Sequence, residues 1–447
     1  MTSLSAPFPQ PVDLVIDARW IVPVEPAEAV LENHSLIADK GRILDLLPTA
    51  EAGKRYAGNE HLQLDNHVLT PGLVNLHTHA AMALLRGYAD DMALMRWLQE
   101  RIWPAESRHV SPAFVHDGTL LACWEMLRGG ITCFNDMYFF PEDAARAALA
   151  AGIRAVLGIT VFEFPSAYGT GPTDYLDKGL RAREALRDDA TISFCLAPHA
   201  PYTVSDATFE RVAAIAAEIR APIHVHLHET GDEIAGSLKE HGVRPVARLR
   251  RLGLLGPGLI AVHAVHLNPD EIALLGESGC HVAHCPTSNM KLASGIAPVG
   301  EMLAQGMSVG LGTDGAASNN RLDLFQEMRH AALLAKVAGH DAALLPAHQA
   351  LRMATLEGAR ALGLDREIGS LRPGKAADLL AVRLDDWLVQ PCFDPVSHLV
   401  YVAGREAVSH VWVAGKQRIA NGMPIDLDSR ALLDKTKMWQ NALTCRT

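Results

Sequence analysis

Eight short apolar runs recur along the middle of the chain: Val68–Leu76, Ile131–Asn135, Ala155–Val161, Ile192–Leu196, Ile223–Leu227, Leu259–Val262, His281–Ala283 and Ser308–Leu311. Each is short enough for a strand, and apolar residues at helical spacing fill the intervals, as in Pro141–Ala151, Asp206–Ile219 and Pro298–Gln305. Alternation of this kind predicts parallel strands joined by helices, and eight of them is the count of a closed (β/α)8 TIM-like barrel, an α/β fold. Shorter β patterns flank the region. Asp13–Val24 and Ser35–Leu47 precede it, with Asp39-Lys40-Gly41 reading as a hairpin turn. Leu379–Val382 and His410–Val413 follow it, the latter before the turn Ala414-Gly415-Lys416. The expected organisation is 1–70 β-rich, 71–368 barrel and 369–447 β-rich with a tail.

Six of the runs end in a residue able to hold or serve a metal ion: His77 with His79, His199, His226, His263, His284 and Asp314. Parallel strands of one barrel put their downstream ends on one face, so these residues share a mouth. Side chains i and i+2 of a strand share a face, and two imidazoles so placed can reach one cation. With 21 histidines in 447 residues, chance supplies about one His-x-His pair, whereas three occur: His77 with His79, His224 with His226, and His226 with His228. Parity alone leaves the choice within the second group open. An aspartate at the end of the eighth strand completes a shell suited to zinc, with iron as the alternative.

Composition narrows the field. Hydrophobic residues make up 49% and charged residues 20%, as in folded globular chains. A formal charge of −11 argues against nucleic acid as a partner. Met1–Pro11 has three prolines and no Lys or Arg, unlike a signal peptide, and no apolar run is long enough for a membrane span. Seven dispersed cysteines (Cys123, Cys133, Cys195, Cys280, Cys285, Cys392, Cys445) contain no CxxC pair, which fits reduced thiols and a cytoplasmic location. The missing Pro-Cys-x-x-Cys also excludes the zinc site of the cytidine-deaminase fold. Gly310-Leu-Gly-Thr-Asp-Gly315 formally matches a dinucleotide fingerprint, but no helix pattern opens at Gly315. A non-catalytic scaffold is disfavoured because every ligand type is present.

Thr70-Pro-Gly-Leu-Val-Asn-Leu-His-Thr-His79, with His226, His263 and Asp314, resembles the amidohydrolase superfamily. Within it the chain is similar to the 5'-methylthioadenosine/S-adenosylhomocysteine deaminases, from the first strands through Leu371-Arg-Pro-Gly-Lys375. The resemblance implies a small β-sandwich domain built from both chain ends. It also implies one Zn2+ per subunit (Fe2+ the alternative) on His77, His79, His226 and Asp314. Relatives with two metals use a lysine on the fourth strand, which here reads Cys195-Leu-Ala-Pro-His199 and has none. Superfamily analogy points to a homodimer.

The activity implied is that of an aminohydrolase acting on C–N bonds of cyclic amidines, with a small nucleoside as substrate. Asp314 takes a proton from the attacking water, Glu229 protonates purine N1, and His263 orients the water and polarises the reacting centre. Glu106 matches a residue that binds the ribose hydroxyls, and His199 one that contacts the ribose or its 5' substituent. His266 reads as a loop or helix-start residue. His284, in a segment expected to line the mouth, receives no catalytic step. An arginine that follows the third strand in relatives, and meets an acidic 5' tail, is replaced by Ile159, and a second has no counterpart near Tyr168–Asp174. Without those cations 5'-methylthioadenosine or adenosine is favoured over S-adenosylhomocysteine. Guanine, 8-oxopurine or s-triazine hydrolases of the same superfamily are the alternative.

Overall fold

The computed structural model describes residues 9–444; Cys445 and most of the proline-rich start read above lie outside them. Two eight-stranded sheets organise the chain. The barrel sheet is parallel and runs in sequence order: β5 (Leu73–Thr78), β6 (Ile131–Asp136), β7 (Arg154–Val161), β8 (Ile192–Pro198), β9 (Ile223–Leu227), β10 (Leu259–His263), β11 (His281–His284) and β12 (Ser308–Leu311). β5, β6 and β7 are buried at every position, as strands between a helix layer and a packed interior must be. The seam between first and last strands is closed by Asp314 N–H donating to His77 O at 3.0 Å. Beside it, Thr313 N–H donates to Asn75 Oδ1 at 2.9 Å. Gly312 permits this approach, since a Cβ there would lie 2.8 Å from the His77 Cβ.

The helices between strands carry the expected caps. Ser205 accepts from Thr208 N–H to start Asp206–Ile219, and Pro141–Ala151 stops at Gly152 with φ +69°. No helix among the described residues is long and apolar enough to cross a membrane. Cys123, Cys133, Cys195, Cys280 and Cys285 are buried free thiols, and Cys392 is a half-buried one.

The second sheet joins both chain ends: β1 (Gln10–Ile21), β2 (Leu31–Asp39), β3 (Arg42–Pro48), β4 (Tyr56–Pro71), β13 (Leu379–Arg383), β14 (Val408–Val413), β15 (Lys416–Ala420) and β16 (Met423–Pro424). Its hydrogen-bonded order is β16-β15-β14-β13-β4-β1-β2-β3. It is one ladder that curls on itself rather than two separate sheets. Ile43 N–H reaches Lys375 O at 2.8 Å, and the curl encloses Leu14, Ile16, Leu36, Leu379 and Trp412.

One expectation needs correction. Val68–Leu76 is not one strand: it breaks at Gly72, where β4 of the curled sheet ends and β5 of the barrel begins. A Cβ at Gly72 would lie 2.0 Å from Thr132 Oγ1, so only glycine fits this junction. After Gly315 the chain runs through turns until Leu324, so Gly310–Gly315 opens no helix and the dinucleotide reading fails. The C-terminal tail ends in a helix, Ser429–Thr444, anchored by Lys435 Nζ and Trp439 Nε1 on Asp117.

Candidate active site

The barrel brings the predicted residues together at its downstream mouth. The ligand atoms of His77, His79 and His226 lie within 4.8 Å of one another, and so do those of His77, His263 and Asp314. His77 Nε2 and His79 Nε2 each sit 3.3 Å from Asp314 Oδ1. The far side of every ring is fixed. His79 Nδ1 donates to Met137 O at 2.6 Å and His226 Nδ1 to His199 O at 2.8 Å. His77 Nδ1 meets His224 Nε2 at 3.0 Å, and His263 Nδ1 meets Asn289 Oδ1 at 2.9 Å. A ring that donates from Nδ1 to a carbonyl presents a lone pair at Nε2, the form a metal requires. Burial pulls His77 down to about 4 and His226 well below its ordinary value, which keeps both rings neutral near pH 7.

His77 Nε2 is fully buried, makes no hydrogen bond of good geometry and faces Asp314 Oδ1 at 3.3 Å, a pairing that a cation between the two would satisfy. The donor set of imidazoles and one carboxylate therefore fits a divalent metal. The neighbours left open by strand parity are engaged elsewhere. His224 sits behind His77, and His228 Nε2 accepts from Val246 N–H at 3.2 Å.

Two of these residues hold backbone conformations that side-chain-bearing residues rarely adopt: His263 at φ +69° and Asp314 at φ +59°. Such strain costs about 1–3 kcal/mol per residue and persists where surroundings over-determine it. Ser288 Oγ donates to Asp314 Oδ2 at 2.6 Å, and Gly315 N–H donates to Asp314 Oδ1 at 2.7 Å.

Above the cluster lies a cavity of about 620 Å³ lined by His79, His226, His263 and Asp314, and also by Glu106, His199 and Glu229. Burial, helped by the charge of Asp314, pushes Glu229 up to about 8. It precedes Thr230, whose hydroxyl caps the helix Gly231–His241, and its backbone N–H is held by Glu233 Oε2 at 2.8 Å. Glu106 accepts from Tyr138 Oη at 2.7 Å; burial lifts its carboxyl to about 7 against that bond. His199 stacks on Phe162 with ring centroids 4.5 Å apart. Trp97, Leu98, Trp103, Phe162 and Phe164 form an apolar wall, and among the described residues no Lys or Arg lines the cavity.

Several positions differ from expectation. Ile159 faces the helix layer, because a Cβ on Gly179 would lie 2.3 Å from the Ile159 Cγ2. Thr160 and Phe162 face the cavity instead, so the phase of the strand was misjudged although the missing cation was not. The segment His284–Asn289 does not line the mouth but braces it from behind, and His284 is packed with its Nδ1 unpartnered. His266 lies in the loop before the helix Pro269–Glu277, its Nε2 2.8 Å from Ser294 O. Sequence reading passed over Ser288, Asn289 and Tyr138, and weighed His224 only as an alternative to His226. Thr-Ser-Asn directly after a buried strand was the available signal for the first two.

A parallel eight-stranded barrel with imidazoles and a carboxylate gathered at its strand ends defines a class of α/β-barrel hydrolases. The chain belongs to the amidohydrolase family, whose model matches residues 68–418. It is 46% identical over 432 residues to a 5-methylthioadenosine/S-adenosylhomocysteine deaminase of Teredinibacter turnerae, covering 97% of this chain and 98% of that protein. Among solved structures it resembles a zinc-bound adenosine deaminase from Xanthomonas campestris (TM-score 0.96, 47% identity, 97% and 99% of the two chains covered). The fold is also that of an atrazine chlorohydrolase from Arthrobacter aurescens (TM-score 0.88, 23% identity, 95% and 99% covered).

Proposed function

We propose that the protein is a zinc-dependent hydrolytic deaminase that converts 5'-methylthioadenosine or adenosine to the inosine analogue and ammonia. The observation that carries this reading is Glu229. A carboxyl kept protonated near neutral pH lines the same cavity as an ionised aspartate and three convergent imidazoles. His77, His79, His226 and Asp314 would hold the ion, which supplies an acidified water by lowering its pKa from about 15.7 toward about 7.

The protein groups then handle protons. Asp314 takes one from the water as its oxygen bonds to purine C6, assisted by His263, fixed through Asn289. Glu229 delivers its own to N1, which receives the displaced ring electrons. The C6–N bond breaks, ammonia leaves with the proton returned from Asp314, and the C6 hydroxyl passes its remaining proton to Glu229, which leaves a carbonyl on C6 and restores the acid. Purified protein supplied with 5'-methylthioadenosine should show the change in purine absorbance. Flat traces with every adenosine analogue, beside turnover of guanine or a triazine, would overturn the reading.

The wall of the cavity bears on the 5' substituent. The acidic side chains that line the cavity are joined there by imidazoles, and its wall is aromatic. Lys178 and Arg181 line a separate cavity that shares Ala167 with it, and Lys178 Nζ is engaged by Tyr168 O at 2.6 Å. An amino-acid tail would give up water without a charge-assisted partner, whereas a methylthio group loses nothing. We expect kcat/KM for 5'-methylthioadenosine to exceed that for S-adenosylhomocysteine by roughly 10–100-fold. Equal values would show that the tail finds a cation.

Glu106 should set the pH dependence of binding. Ribose hydroxyls donate, so they favour the ionised carboxylate. With its pKa near 7, binding is full above pH 7 and is lost as pH falls through it. KM should climb about tenfold per unit at lower pH. Glu106→Gln should flatten that slope; an unchanged slope would remove Glu106 from the ribose site.

A further inference from the structure

Glu327 is entirely buried in the first turn of the helix Leu324–Ala338, has no cationic partner, and does not line the cavity. Its two oxygens are spent on two different loops. Oε1 accepts from Asn319 Nδ2 at 2.8 Å, and Oε2 accepts from Thr287 N–H at 3.1 Å. The Asn319 amide also donates to Thr313 O at 2.7 Å, the peptide immediately before Asp314. Thr287 begins the triplet whose next two side chains grip the site, Ser288 on Asp314 and Asn289 on His263. One carboxylate thus ties the loop after β12 to the helix start after β11. Both residues reached by this bracing hold left-handed backbone conformations that relax unless clamped.

We propose that Glu327 is a positioning residue of the reaction, a buried clamp that sets Asp314 and His263 relative to one another. The inference rests on the deaminase reading for its assay but on geometry for its substance. Burial pushes the Glu327 carboxyl up to about 8 against the bonds from Asn319 and Thr287. The clamp works because both oxygens accept from N–H donors, so an amide in its place can satisfy only one of them.

The test is Glu327→Gln in the zinc-loaded full chain, with Asn319→Ala as a second variant that removes the bonds to Glu327 Oε1 and Thr313 O and leaves the one from Thr287 N–H. Each should lower kcat for 5'-methylthioadenosine roughly 10–100-fold with KM within about twofold, and should release zinc faster to a chelator. Combined, the two changes should cost little more than the larger one alone, because both break one connection. Unaltered kcat and zinc release per folded molecule, with only a lower Tm, would make Glu327 a stabilising residue and overturn the proposal. So would additive losses in the double variant. If Glu327→Gln does not fold, Asn319→Ala decides on the same readouts. Loss of turnover in the parent protein would count against the deaminase reading instead, and zinc release would still report on the clamp.

Discussion

Replacing Glu229 by Gln should lower kcat for 5'-methylthioadenosine by about 10²–10⁴-fold while leaving zinc content unchanged and KM within a few-fold. The amide keeps the size and polarity of the side chain and the backbone bond to Glu233, so the cavity and the helix cap survive. What it loses is the transferable proton. Purine N1 must gain that proton as water adds to C6, and the other carboxyl of the cavity that burial raises toward neutrality, Glu106, is engaged by Tyr138. The ordinary carboxyl of a solvated glutamate would be ionised at pH 7 and unable to donate. Burial, with the charge of Asp314 behind it, is what keeps this one loaded. Measuring kcat and zinc content side by side checks the claim. A variant within about threefold of the parent would take Glu229 out of the proton path.

Stripping divalent metal with a strong chelator should depress turnover by roughly 10³-fold or more, and one equivalent of zinc per chain should restore it. The same treatment should lower Tm, since an ion bound only by the folded state stabilises it. The argument is the local chemistry. Buried imidazole nitrogens and a carboxylate converge within 4.8 Å, and His77 Nε2 makes no hydrogen bond of good geometry. A protein whose Tm and activity ignore both chelator and zinc would show the cluster to be a packed polar core. Restoration only by two equivalents would contradict the single-ion expectation drawn from Cys195–His199.

Much of this was readable from the chain because barrel strands buried on both faces leave apolar runs with abrupt ends. The residue that terminates such a run announces itself, as His263 did, whereas only the family resemblance singled out His226 from His224 and His228. Phase within a run was harder: Ile159 and Thr160 are both tolerable in a fully buried strand, and only packing against Gly179 tells which points outward. The break at Gly72 was hidden because β4 and β5 are both apolar, so the pattern continued across a change of sheet. The aromatic wall comes from Trp97, Trp103 and Phe164 in segments outside the barrel strands, where no periodicity marks which side chains will converge. Ser288 and Asn289 act through geometry with residues far away in sequence, which spacing alone cannot convey.

The seam between β5 and β12 has a consequence for how the protein comes into being. Imidazoles from β5 and β9 are translated long before the aspartate that faces them, and the bonds from Asp314 N–H to His77 O and from Thr313 N–H to Asn75 draw that carboxylate to the first strand. A nascent chain halted before Ser308 carries a half-built nest that can hold an ion weakly at best. Capture of the ion thereby becomes a signature of a finished cylinder.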